Sequence, residues 1–205
     1  MAHVSDPFFR TFHALRLKGF AKAEIVAEVA DLPVATVEDH LAGLQARELA
    51  TFREARQLWQ LTPGGREAHG LALAEDLAGA DVAALSAPYQ QFLALNERFK
   101  ALCADWQLRG GEPNDHSDDA YDAGVVARLR DIDAAAQPVV ADMGGVLARL
   151  GAYAPRLERT CQRVADGETN MFTGVMCGSY HDVWMELHED LILTQGIDRA
   201  AEGSF

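Results

Sequence analysis

Apolar positions along the chain follow two different periods, and the points where the period changes divide the sequence into elements. Phe8, Phe9, Phe12 and Leu15 have the spacing of a single helix face. Asp6-Pro7 ahead of them supplies an N-cap with proline at the first helical position, and Gly19 supplies a stop. The spacing therefore predicts a helix over about Asp6 to Lys18. Ile25, Val26 and Val29 share one face of a second short helix, Ala21 to Ala30, which Asp31-Leu32-Pro33 breaks. Val34, Val37, Leu41 and Leu44, separated by 3, 4 and 3, predict a third. At Ala50 the period shortens to two. Thr51-Phe52-Arg53 and Gln57 to Leu61 flank a charged tip, Glu54-Ala55-Arg56, and predict two short strands joined as a hairpin. Thr62 then caps a further helix with Pro63 at its first position.

Beyond about Asp81 the pattern is helical throughout. Tyr89, Phe92, Phe99, Cys103 and Trp106 predict a long amphipathic helix from Pro88 to Trp106. The polar run Leu108 to Asp122 predicts a loop, with Ser117 or Asp118 as the next N-cap. Tyr121, Val125, Leu129 and Ile132 mark one helix. Val139, Met143, Val146, Leu147 and Leu150 mark another, with Pro138 at its start or at a kink. Arg156 to Ala165 is expected as a short helix, and Phe172 to Thr194 as a long one closed by Gly196. The fold expected is thus mainly α: a winged helix-turn-helix over residues 1–80, whose small β-hairpin is the wing, followed by an all-α helical part over 81–205.

Charge adds a second division. The net charge is −13, yet residues 1–70 carry eight Lys/Arg against nine Asp/Glu, so nearly all of the excess lies in the remainder. Phosphate binding relies on Lys and Arg, so such a balance excludes a generic nucleic-acid coat while leaving the first third open to DNA. No window approaches the run of roughly 18 apolar residues that spans a bilayer. The start, MAHVSDPFF, lacks the basic and apolar regions of a secretory signal. A cytoplasmic protein is expected. Cys103, Cys161 and Cys177 are far apart, odd in number and set among apolar neighbours, and are expected to be reduced packing residues.

Ala35-Thr36-Val37, His40-Leu41, Leu44, Leu49 and the run Leu61-Thr62-Pro63-Gly64-Gly65-Arg66 resemble the winged-helix domains of bacterial regulators of the MarR and PadR kind. The resemblance covers about the first 75 residues. It implies a homodimeric transcriptional regulator whose third helix enters the major groove of double-stranded DNA while the wing reaches phosphate or the minor groove. Thr36, Glu38, Asp39 and His40 would then read bases, and Arg53 and Arg56 would be the wing contacts. The usual pattern has Ser and Arg after the valine, where this chain has Glu38 and Asp39. A carboxylate accepts a hydrogen bond from cytosine N4 but repels phosphate. The same sequence therefore also fits a winged helix that docks a protein partner and binds no DNA.

A second constellation is Ser179 to Leu191. On a helix Tyr180, Trp184, Leu187 and Leu191 form one stripe, and His181, Met185 and His188 form its neighbour. With Trp106, the residues Tyr180, His181, Trp184 and His188 fit a pocket for a small-molecule effector, with rings to stack and imidazoles to direct hydrogen bonds. They equally fit helix packing or a dimer interface. His181 and His188 lie two turns apart, roughly 10 Å, too far to share one small ion, so no metal site is expected. Nucleotide-binding glycine motifs and a G-x-S-x-G elbow are absent, and nothing selects His181, His188 or Glu186 for acid–base work. The chain is expected to be no enzyme and to need no cofactor.

RLKGFA, LTPGGR, LCADWQLR, NDHSD and SYHDVWMELHEDL together look like a bacterial family of winged-helix regulators, some associated with phosphoenolpyruvate-utilising swivel-domain proteins. That resemblance implies an accessory partner of a phosphotransfer enzyme, with the acidic helical part as its docking surface.

Overall fold

The computed structural model describes residues 1–198, so the last seven residues of the expected helical part lie outside it. The described chain is mainly helical with a small antiparallel sheet. It divides into two compact units. The first holds Met1–Val82, Gly144–Ala152 and the stretch from His188 onward; the second holds Ala83–Met143 and Tyr153–Leu187. None of the described helices is long and apolar enough to cross a membrane.

In the first unit, α1 (Pro7–Lys18) begins where the Asp6 carboxylate accepts the Phe8 and Phe9 N–H groups, and it ends at Gly19, whose φ of +71° suits glycine. Strand β1 (Phe20–Ala21), α2 (Ala23–Ala30) and α3 (Val34–Ala46) follow. Next come β2 (Ala50–Arg53), a single 3-10 turn at Glu54–Arg56, and β3 (Leu58–Leu61), and then α4 (Pro63–Leu77). The sheet order is β1-β3-β2, antiparallel throughout. The sequence pattern assigned Ala21 to the second helix and no strand to Phe20. The structure instead pairs Phe20 with Gln60 and Ala21 with Trp59. Two residues are too few for an alternation to register.

Leu15, Val26, Val37, Leu41 and Leu44 are fully buried and, with Phe12 and Leu61, form a core that α1, α2, α3 and β3 share. Burying each of the large aliphatic side chains contributes on the order of 1.5–3 kcal/mol. Thr62 ties the hairpin to α4. Its hydroxyl donates to the Glu48 carbonyl at 2.9 Å and accepts the Gly65 N–H at 2.9 Å. Gly65 has no space for a side chain, because a Cβ would run into the Leu49 carbonyl.

The second unit contains α5 (Ser86–Gln107), a two-residue hairpin of β4 (Leu108–Arg109) and β5 (Glu112–Pro113), most of α6 (Asp119–Val146), α8 (Tyr153–Ala165), α9 (Asn170–Thr173) and the start of α10 (Tyr180–Gln195). The short α7 (Ala148–Gly151) belongs to the first unit. Asp118 is the N-cap of α6, accepting the Tyr121 N–H at 3.0 Å.

Two expectations change here. The helices expected on either side of Pro138 are one helix, α6, with Pro138 exposed in its interior. The long helix expected from Phe172 is broken between Thr173 and Tyr180. Gly174 lies so close to Asn170 and Cys177 that a Cβ has no room, while Met176 and Gly178 take positive φ. Ser179 then restarts the helix. Its hydroxyl accepts the Asp182 N–H at 3.1 Å, and the Asp182 carboxylate accepts the Cys177 and Gly178 N–H groups.

Candidate functional site

The residues expected to read DNA are placed differently from one another. On α3, Glu38 and Asp39 are exposed and Thr36 is half-buried. His40 turns inward: its Nδ1 lies 2.9 Å from the Thr11 hydroxyl, and its ring meets Phe8 edge-on at 5.3 Å. The exposed positions of α3 are therefore Val34, Ala35, Glu38, Asp39, Ala42, Gln45 and Ala46, a surface of small residues and two carboxylates without a cation. Arg47, just past the helix, holds its guanidinium 5.6 Å above the Phe8 ring. In the hairpin both arginines are exposed. With the Gln60 amide turned to accept, Arg53 donates to it at 2.9 Å; Arg56 ends the 3-10 turn at the tip.

Of the five residues expected around an effector, four lie in the second unit and His188 in the first. Tyr180, His181 and Trp184 surround Phe99 of α5, with centroids 5.3, 6.2 and 4.9 Å away, and Trp106 reaches the same cluster through Phe172 at 4.9 Å. Tyr180 and Trp184 have no exposed surface, Trp106 is buried, and His181 is half-buried. The polar atoms of Trp184 and Tyr180 are satisfied within the unit. The Trp184 indole donates to Asn96 Oδ1 at 2.9 Å, and the Tyr180 hydroxyl donates to Asp133. Burial pushes the Asp133 carboxyl up, against the hydrogen bonds from Gln137 and Tyr180, and pushes the Tyr180 phenol well above its ordinary value. Trp106 is capped by His116, whose ring lies 4.4 Å from it and is held by Asp122 at 2.8 Å.

A third constellation, which the sequence pattern did not single out, lies inside the first unit. His13 of α1 presents Nε2–H to Asp190 Oδ1 at 3.0 Å and faces His69 of α4, Nδ1 to Nε2, at 2.9 Å. Arg149 donates to Asp190 at 3.1 Å and to the Thr194 hydroxyl, which itself donates to Asp190 at 3.0 Å. Arg149 also lies 3.8 Å from Asp76, a carboxylate that receives Ser5 at 2.9 Å and meets His3 at 3.2 Å. The N-terminal strand-like bridge makes this possible: His3 donates its N–H to Val146 and accepts from Ala148, which brings the segment carrying Arg149 to α4.

Burial alone would raise the Asp190 carboxyl, but Arg149 and His13 outweigh it and hold it below the usual carboxylate range. Burial, together with charge on His13 and Arg16, lowers His69 to about 3, so this ring stays neutral at ordinary pH. Phe9 stacks on both imidazoles and Phe12 meets His69 edge-on, so rings cover the network. It is a buried polar clamp joining α1, α4, α7 and the end of α10. The signal for it was present in the sequence. His13 follows Phe9 and Phe12 on an apolar face, His69 sits between Gly65 and Leu73 at helical spacing, and Arg149 and Asp190 interrupt leucine-rich stretches.

Two of the cysteines fit the packing expectation and one departs from it. Burial pushes the thiols of Cys103 and Cys161 up to about 12, whereas Cys177 is exposed in the turn before α10. Among the described residues no group of His, Cys, Asp and Glu is arranged to hold a metal ion. Compared with family models, curated proteins and solved structures, the chain matches none.

Proposed function

We propose that residues 1 to about 77 form a winged helix that works as a protein-docking module, with the exposed face of α3 meeting a basic surface on its partner. What supports a winged helix is the order α1, β1, α2, α3, β2, β3, α4 together with the sheet order β1-β3-β2. One observation carries the choice of partner. The exposed face of α3 offers two carboxylates and small apolar residues, and its single imidazole is spent on Thr11 and Phe8. A helix lying in the major groove passes between two phosphate rows, where Glu38 and Asp39 repel and nothing on the helix compensates. Against a basic protein surface the same carboxylates attract, and alanines let the partner's backbone approach.

A second reading is favoured by one observation, the exposed Arg56 at the tip of the hairpin with Arg53 behind it. In that reading the protein is a homodimeric DNA-binding regulator. The two readings separate in one experiment, a salt titration of fluorescent duplex binding by the wild type, Glu38→Gln/Asp39→Asn and Arg53→Ala/Arg56→Ala. Docking to protein predicts weak, sequence-independent binding that the acid-to-amide change strengthens. The DNA reading predicts an enriched site in a genomic fragment pool and a salt slope that falls by about one unit per lost phosphate contact in the arginine variant. Recovery of such a site would overturn the docking proposal.

A further inference from the structure

A groove of about 340 Å³ runs between α1 and α4 in the first unit, walled by Phe8, Phe9 and Phe12 and edged by Arg47, Glu75 and Asp76. We propose that it binds small organic cations, ammonium or guanidinium compounds carrying an aromatic or aliphatic group, and that Arg47 is the built-in cation such a ligand displaces. The volume is that of a small-molecule site and its wall is mostly apolar; Phe8 is half-buried there, while Phe9 and Phe12 are buried against His13 and His69. A ring face attracts cations through its quadrupole. The groove already shows that preference: the Arg47 guanidinium rests 5.6 Å over Phe8 and makes no ion pair among the described residues.

Carboxylates outnumber that single cation. Asp6 also lines the groove, although one of its oxygens is taken by the start of α1. Asp76 is balanced by His3 and Arg149. Glu75 is exposed and forms no ion pair among the described residues, which leaves it as the counter-charge for an incoming cation. A carboxylate ligand would meet these acids and would have Arg47 alone to bind it. The proposal stands apart from the docking reading, since its test leaves Glu38 and Asp39 untouched.

Phenethylammonium and phenylpropionate, which share a ring and differ in the sign of the charge, test it on the full-length chain by calorimetry and saturation-transfer NMR. The cation should bind at least about tenfold more tightly than the anion, as expected for a ring-lined site with a net negative edge. Arg47→Ala should tighten the cation by about threefold or more by removing the internal competitor. Glu75→Gln should weaken it by about two- to fivefold. Ala72→Trp, which fills the groove from α4, should abolish binding, with circular dichroism confirming that the variant folds. Preferred binding of phenylpropionate lost in Arg47→Ala would overturn the proposal. So would cation binding that survives Ala72→Trp, or no binding of either probe to the wild type and to Arg47→Ala.

Discussion

His69 and Asp190 tie the stability of the first unit to pH in the same direction. A histidine whose folded value is lowered from 6.5 to about 3 binds a proton in the unfolded chain before it does in the folded one. Stability is therefore present above pH 6.5 and falls as the pH drops from there toward 3, by about 1.4 kcal/mol per unit. Asp190, held below its ordinary value, adds a loss that begins as the pH falls through the usual carboxylate range. Urea midpoints measured between pH 7 and pH 4 should fall steeply, and His69→Phe should flatten the upper part of that curve. Asp190→Asn leaves Arg149 and His13 without their shared carboxylate in the interior, and is expected to cost about 3–5 kcal/mol at pH 7. A midpoint unchanged from the wild type would show that the clamp adds nothing to stability.

At the scale of elements, the turn before α10 and the proline in α6 act in opposite senses. Ser179 and Asp182 satisfy the N–H groups that the break in the helix exposes, so Ser179→Ala is expected to lower stability by about 1 kcal/mol, read by chemical denaturation. Gly174→Ala should be worse, because the new methyl group meets the Asn170 backbone. Pro138 sits exposed in the middle of α6, where it removes one backbone hydrogen bond, and Pro138→Ala is expected to stabilise the chain by about 1–3 kcal/mol. The sequence pattern divided α6 into two helices, with Pro138 at a start or a kink, and left Gly174 and Gly178 inside a helix. Both readings failed for one reason. Local preference reports the cost of a residue in a helix, and the contacts of the surrounding helix decide whether that cost is met.

On the scale of the whole molecule, the first unit is not a continuous piece of chain. Its buried Asp76 and His13 find their partners on Arg149 and Asp190, which are 73 and 177 residues away in sequence. A fragment ending at residue 82 keeps the apolar core of α1, α2 and α3 and the His3 and Ser5 contacts of Asp76, but takes Arg149 from Asp76 and Asp190 from His13. It should melt at a lower temperature than the same unit in the full chain. Replacing Asp76, His13 and His69 together with apolar residues should recover much of the difference. A fragment as stable as the intact protein would mean that solvent replaces those partners at no cost.

The sequence by itself determined the elements whose signal is local. Asp6-Pro7 and Thr62-Pro63 start helices where their side chains accept backbone N–H groups, the stripe from Val34 to Leu44 is buried, and the alternation around Glu54-Ala55-Arg56 becomes two strands. It also placed Tyr180 and Trp184 on one helical stripe, and that stripe lies against Phe99. Only the tertiary structure decided what depends on distant partners. It turned His40 away from solvent onto Thr11 and added β1 to the hairpin. It also assembled His13, His69, Arg149 and Asp190 from four separate stretches, and opened the groove beside Phe8. The physical reason is the range of the interactions. Capping and periodicity act over one or two helical turns, while a buried charge is tolerated only where folding brings its counter-charge within hydrogen-bonding distance.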